Sequence, residues 1–148
     1  MRVYYDPSFL IALYLAEPLS PRARSFVQQQ RQPILLNELQ ELEFRNGLRQ
    51  KVVRREISET DLARCLAVFQ QDWVAGKLLR KPVAWDAVFI KAEILSRRLG
   101  VRQVCRAFDL LHVAISAVSA VKQFATLDIE QAAIASAAGL TAVELPQV

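Results

Sequence analysis

The 148-residue sequence predicts an α/β fold: a central parallel sheet of about four or five short strands with helices over both faces, three layers in all. Three observations carry that reading. Short apolar runs (RVYY, PILL, KQFATLD, TAVEL) alternate with longer stretches that read as helices, as strands joined by helical crossovers do. Residues 110–121 carry no charge except at His112, so that helix has no polar face to offer water and belongs in the interior. Helix start and stop residues then punctuate the chain at regular intervals.

RVYY is the first strand and ends at Asp6-Pro7. A proline at the first helical position after an aspartate cap starts a helix over residues 7–17, which Glu17-Pro18 ends. A second helix follows Ser20-Pro21 and runs to about residue 32. PILL is a buried strand. Asn37 caps a long helix to about residue 55, and Ser58 caps another to about residue 76, with Glu59 and Asp61 in its first turn. VAW (83–85) reads as a strand fragment, and residues 86–99 as a helix closed by Gly100. The buried helix opens at Asp109. KQFATLD is a strand, residues 130–138 a helix stopped by Gly139, and TAVEL a last strand.

Length and composition set limits. A chain of this size is expected to form one domain over residues 1–148 and to bury a full core without staples. Its two cysteines, Cys65 and Cys105, stand far apart in no metal-ligand pattern, which argues against a zinc site or a disulfide framework. The apolar run near the start is broken by Asp6, Pro7 and Ser8 and is too short to span a bilayer. The expected location is the cytoplasm, with no membrane partner. The net charge is +4, and arginines come in pairs such as Arg45 and Arg49 or Arg102 and Arg106. A guanidinium can bond two phosphate oxygens at once, although most such runs are solvated surface.

The chemistry lies in four acids. In open α/β sheets ligands bind beyond the carboxyl ends of the strands, where Asp6 and Asp128 stand. Asp6, Asp109 and Asp128 each sit where a helix begins, so each is either a helix cap or a site residue. Glu43 is different. At about 100° per residue, Leu39, Leu42, Val53 and Ile57 share one arc of the long helix, and Glu43 and Asn46 fall inside it. A carboxylate on such a face needs a partner, which is either an interhelical cation or a metal. Four carboxylates converging at strand ends are best reconciled by a hard divalent cation, and oxygen-only ligands favour Mg²⁺ or Mn²⁺.

The segments YYDPSFLIALYLAEP, ELEFRNGLR, RAFDLLHVA and FATLDIEQAAIASAAGL, in that order, resemble the PIN domain, specifically the VapC toxins of VapBC toxin–antitoxin pairs. The resemblance runs over nearly the whole chain. It implies a PIN-like three-layer fold and Mg²⁺-dependent endoribonuclease activity on structured RNA such as tRNA or rRNA. It also implies a cognate antitoxin as inhibitor, and a homodimer. It assigns Asp6, Glu43, Asp109 and Asp128 as the catalytic, metal-holding acids and Ser8 as the small hydroxyl residue after the first. Many relatives carry a basic residue directly after the fourth acid, whereas here Ile129 is followed by Glu130.

The remaining assignments follow from position. Asp109 is expected both to cap its helix and to face the metal. His112 is a core histidine or, less simply, a general base. Asn46 and Thr126 are candidates for supporting the acids or contacting phosphate. Arg45, Arg49 and Arg106 are candidates for a basic rim that offsets the repulsion between the acids and RNA. Large apolar residues on the helices at 7–17, 20–32 and 37–55 suggest a dimer surface and a groove for an amphipathic antitoxin segment. Two rivals fail on the residues. A haloacid-dehalogenase-type phosphatase needs a second Asp where Ser8 stands, and a receiver domain needs a vicinal acidic pair before the first helix. A PIN-fold RNA-processing nuclease without an antitoxin stays open, as does a non-catalytic binding module whose acids serve only as caps.

Overall fold

The computed structural model describes residues 2–145. Among them the chain forms β1 (Val3–Tyr5), α1 (Pro7–Tyr14), α2 (Ser20–Gln30), β2 (Ile34–Leu36), α3 (Glu38–Val53), α4 (Glu59–Val74), β3 (Leu78–Arg80), α5 (Trp85–Leu99), α6 (Ala107–Val118), β4 (Gln123–Ala125), α7 (Ile129–Ala137) and β5 (Thr141–Ala142). The predicted α/β class with parallel strands holds. The five strands divide three and two, in two compact units: residues 2–6 with 82–144, and residues 7–81.

The first unit is built on the parallel sheet β1-β4-β5. β1 pairs with β4 in the register Val3↔Gln123, Tyr4↔Phe124, Tyr5↔Ala125. The Tyr4 and Phe124 rings stack across that register at 5.3 Å. The Asp6 amide donates to the Ala125 carbonyl at 2.9 Å, so the main chain holds Asp6 at the carboxyl end of the sheet. α5 lies along α6, and α6 is the interior helix that its sequence foretells, burying Leu110, His112, Val113, Ala114, Ile115 and Ser116. Gly139, at φ 89°, adopts the left-handed conformation that lets α7 end and β5 begin.

The second unit packs α1 against α2, α3 and α4, beside the parallel pair β2-β3. Two capping boxes set its long helices: Asn37 with Gln40 at the start of α3, and Ser58 with Asp61 at the start of α4. Each satisfies amides that an isolated helix end leaves bare. α1 and α3 come so close that a Cβ on Gly47 would stand 2.7 Å from Ile11 Cδ1. Tyr14, Phe44, Phe69 and Trp73 form a chain of ring contacts, the closest being Phe44–Phe69 at 4.5 Å.

Several boundaries differ from expectation. The strand expected at 83–85 is instead Leu78–Arg80, where Leu78 is buried and pairs with Ile34. Lys81 makes the last bond of this pairing, to the Leu36 carbonyl, and Pro82, which has no amide to donate, ends it. Residue 85 already belongs to α5. α1 stops at Tyr14, and Arg31, at φ 51°, closes α2 just after Gln30. β4 and β5 keep only the paired cores of their apolar runs.

The face of α3 also needs correction. The buried residues are Gln40, Glu41, Phe44 and Leu48, nearly opposite the arc read from the sequence. Leu42 and Val53 are 61% and 72% exposed, Asn46 is exposed and Glu43 is half-buried. Polar groups occupy the inward face because each has a partner. Gln40 closes the capping box, and the Glu41 carboxylate pairs with Arg80 and with Arg45. Cys65 is buried and Cys105 half-buried, and both are free thiols. No helix among the described residues is long and apolar enough to cross a membrane.

Candidate functional site

Three of the four predicted acids meet in the first unit. Asp6 follows β1, Asp109 lies in the first turn of α6, and Asp128 follows β4 as the N-cap of α7. A continuous run of hydrogen bonds joins them. Gln131 Nε2 donates to Asp6 Oδ1 at 2.8 Å, and Thr126 Oγ1 donates to Gln131 Oε1 at 2.6 Å. Thr126 Oγ1 in turn accepts from the Asp128 amide at 3.1 Å. Arg106 Nη2 reaches Asp128 Oδ2 at 2.9 Å, while its Nε reaches Asp109 Oδ2 at 3.0 Å. Asp6, Thr126 and Gln131 are all buried, so this end of the network is preorganised by bonds that water does not contest.

Each acid is held differently. The Asp128 carboxylate accepts from the amides of Glu130 and Gln131 with Oδ1 and from Arg106 with Oδ2. It is therefore a helix cap and a member of the cluster at once. Asp109 is not a cap: α6 begins two residues earlier, at Ala107, with Arg106 in the cap position and no side-chain cap bond. Burial raises the Asp109 carboxyl above its ordinary pKa. The carboxylates of Asp128 and Asp6 push it the same way, against the lowering pull of Arg106. Asp109 thus lies within the field of the other two acids.

The other predicted residues belong to the second unit. Ser8 is half-buried on α1, while Glu43, Arg45, Asn46 and Arg49 lie on α3. Arg45 does not offer a bare cation: its guanidinium bonds Glu41 at 3.3 Å and lies over the Phe69 ring at 5.5 Å. Arg49 is exposed. Arg106, expected as a rim residue, is bonded to two of the acids.

Two residues escaped the sequence reading. Gln131 orients Asp6, and its signal was available: it stands three residues after the Asp128 cap, the spacing of a capping box. Tyr4 fixes His112, whose Nδ1 lies 2.7 Å from the Tyr4 hydroxyl. His112 is fully buried, which makes it a core histidine bonded to a core tyrosine.

The donor chemistry of Asp6, Asp109 and Asp128, all hard oxygen, suits Mg²⁺ or Mn²⁺. Their placement does not complete a metal cage: among the described residues no three Asp, Glu, His or Cys side chains stand as a group that could hold an ion. Arg106 spans the two acids instead.

Neither a protein-family model nor a curated protein matches the sequence. Solved structures do match the fold. The crystal structure of Mycobacterium tuberculosis VapC20, a sarcin–ricin-loop-cleaving toxin, aligns with a TM-score of 0.69 at 16% identity, covering 97% of this chain and 99% of that one. FitAcB from Neisseria gonorrhoeae aligns with a TM-score of 0.62 at 14% identity, covering 97% of each chain. The fold is PIN/VapC-like, as the sequence motifs imply.

Proposed function

We propose that this protein is a Mg²⁺-dependent endoribonuclease, the toxin of a type II toxin–antitoxin pair, which cleaves a structured RNA of the tRNA or rRNA class. The observation that carries the reading is the bonded group of Asp6, Asp109 and Asp128 on a PIN/VapC-like fold. Three carboxylates sharing one field are costly as a structural device, since a cap needs only one. Asp6, Asp109 and Asp128 would hold the metal, Mg²⁺ or alternatively Mn²⁺, with Glu43 as the fourth acid. A bound divalent ion supplies an activated water and charge neutralisation at phosphate. Thr126 and Gln131 aim Asp6, and the Asp128 cap fixes the second acid to a rigid helix start. Ser8, Asn46, Arg45, Arg49 and Arg106 are the proposed contacts to RNA.

Loops are the favoured substrate, because a splayed backbone can bring its phosphates to the acids more readily than a stiff duplex can. The sarcin–ricin loop cut by the structural neighbour is of this kind. A groove of about 700 Å³ in the second unit, lined by Leu13, Val27, Ile34, Val68 and Leu78 with Arg24 and Asp72, is the proposed seat of an amphipathic antitoxin segment. Of the three helices expected to form the proposed homodimer surface, α3 exposes large apolar residues, Leu42 and Val53. No large apolar residue of α1 or α2 stands among the exposed ones, whereas Phe89, Ile90 and Ile94 of α5 do.

The test is a panel of end-labelled substrates incubated with the purified protein in Mg²⁺, in Mn²⁺ and in excess EDTA: a stem-loop RNA, its fully paired duplex, and the DNA stem-loop. The proposal expects a discrete cut in the RNA loop, dependent on metal. Cleavage that persists in EDTA, or no cleavage of any RNA by a folded protein, refutes it. The latter outcome would favour a non-catalytic binding module.

A further inference from the structure

We propose that the outer face of α5 is a self-complementary docking surface for a second copy of this chain. Two α5 helices pack antiparallel about a two-fold axis, with Phe89, Ile90 and Ile94 at the centre and Asp86 of each copy paired with Arg97 of the other. This rests on the homodimer proposed above and names its surface and symmetry.

The helix is apolar on two sides. Val88, Ala92, Leu95 and Leu99 are its buried residues. A helix with that inner stripe is expected to turn polar residues to water. Instead Phe89, Ile90 and Ile94 are 58%, 65% and 50% exposed. At about 100° per residue these three fall with Asp86, Glu93 and Arg97 in one arc of about 140°, opposite the buried stripe. Large apolar side chains grouped and exposed in this way mark an interaction surface. α3 offers no comparable patch. Its Leu42 and Val53 are exposed, but Asn46 and Arg49, also exposed, lie on the same side between them.

The order of residues along α5 says what covers this face. Asp86 stands in the first turn and Arg97 in the last, equally far from the midpoint between Lys91 and Ala92. At about 1.5 Å per residue, each is about 8 Å from that midpoint. A two-fold axis crossing the helix there sets Phe89 level with Ile94 of the second copy, and Asp86 level with Arg97. A parallel pairing would bring acid to acid and base to base. An interface between identical copies needs a surface on which each group meets its complement under one rotation. Asp86 is exposed and makes no ion pair among the described residues, so it gives up nothing but water. Arg97 bonds Glu93 of its own helix at 3.0 Å, and its guanidinium has further N–H groups for a second carboxylate. Glu93 therefore enters the interface with its charge compensated. Three large side chains from each copy make a small interface, so the dimer is expected to be weak, in the micromolar range.

The test is sedimentation equilibrium of the full chain from about 1 to 200 µM, a range that brackets such an affinity. The variants are Ile90→Asp, Asp86→Arg, Arg97→Asp and, on the α3 face, Leu42→Asp, each first shown to be folded by circular dichroism. Ile90→Asp should weaken association at least about tenfold, the scale of a central interface residue, and Leu42→Asp should leave it as in the native protein. Asp86→Arg alone and Arg97→Asp alone should each weaken association, because like charges then face each other at both ends. An equimolar mixture of those two variants should associate at least as well as the native protein, since every end again meets its opposite; a folding defect cannot produce that recovery. A native protein that is monomeric throughout removes the homodimer and this inference together. A dimer that survives Ile90→Asp, or that Leu42→Asp abolishes, keeps the homodimer and overturns the α5 surface. Single-charge variants that associate no better mixed than alone overturn the antiparallel pairing.

Discussion

Replacing Gln131 with glutamate tests the bond that aims Asp6. The change is isosteric, but it sets a second carboxylate where an amide now donates to Asp6 Oδ1 at 2.8 Å. Two unit charges at that separation repel by roughly 6 kcal/mol at an effective dielectric constant of about 20. The pair has a less costly state. A carboxyl with an ordinary pKa near 4.3 can be kept protonated at pH 7 for about 1.36 kcal/mol per pH unit, roughly 4 kcal/mol in all. The smaller figure sets the penalty. The protonated acid then donates to Asp6 and accepts from Thr126, much as the amide does. The sign follows from this: the new carboxyl has a folded-state pKa above its unfolded value. Its contribution is intact below about pH 4.3 and is lost as the pH rises towards the folded value. Thermal unfolding of Gln131→Glu should therefore match the native protein near pH 4 and fall short at pH 7 by about 8–16 °C for a chain of this size. A variant as stable as the native protein at pH 7 would show that Gln131 and Asp6 are not bonded, and the preorganised end of the site would be lost with them.

Two further outcomes follow from the same structure. Phe44 is fully buried between Tyr14 and Phe69, so Phe44→Ala should cost about 3–5 kcal/mol in urea unfolding, and a loss below about 1 kcal/mol would contradict the packing of the second unit. Burial raises the Asp109 carboxyl, so the ionised acid subtracts stability as the pH rises above about 3.8; Asp109→Asn should accordingly be more stable than the native protein at pH 7 and lose that advantage in acid. An Asp109→Asn protein less stable at pH 7 would contradict the assigned burial.

How far the sequence could be read depended on whether the determining chemistry was local. Asn37, Ser58 and Asp128 begin α3, α4 and α7 as expected, because a cap and its amides lie within three residues. α6 was placed about two residues late, since Ala107 and Phe108 carry no start signal and Asp109 looks like a cap. The wheel drawn on α3 failed for a different reason. That helix has apolar residues on both sides, and its inward face carries Gln40 and Glu41, whose burial is tolerated only because Asn37, Arg45 and Arg80 satisfy them. Two of those partners lie at or before the helix start or beyond α4, so a helical wheel cannot find them. At the site, Asp6 and Asp128 were legible as strand-end acids. The Arg106 bridge was not, because residue 106 meets residue 128 only in the folded chain.

The most direct test of the account compares cleavage of one stem-loop RNA in Mg²⁺ by the native protein and by Asp6→Asn. The two proteins must first be shown to share a fold by circular dichroism and thermal unfolding. Asparagine keeps the shape of the side chain and an acceptor for Gln131, and removes only the charge. The account predicts that the native protein cuts the loop and that Asp6→Asn loses activity by about 10²-fold or more, the scale of a catalytic electrostatic contact. Equal cutting by the two folded proteins would contradict it, because the nuclease site would then not be at these acids.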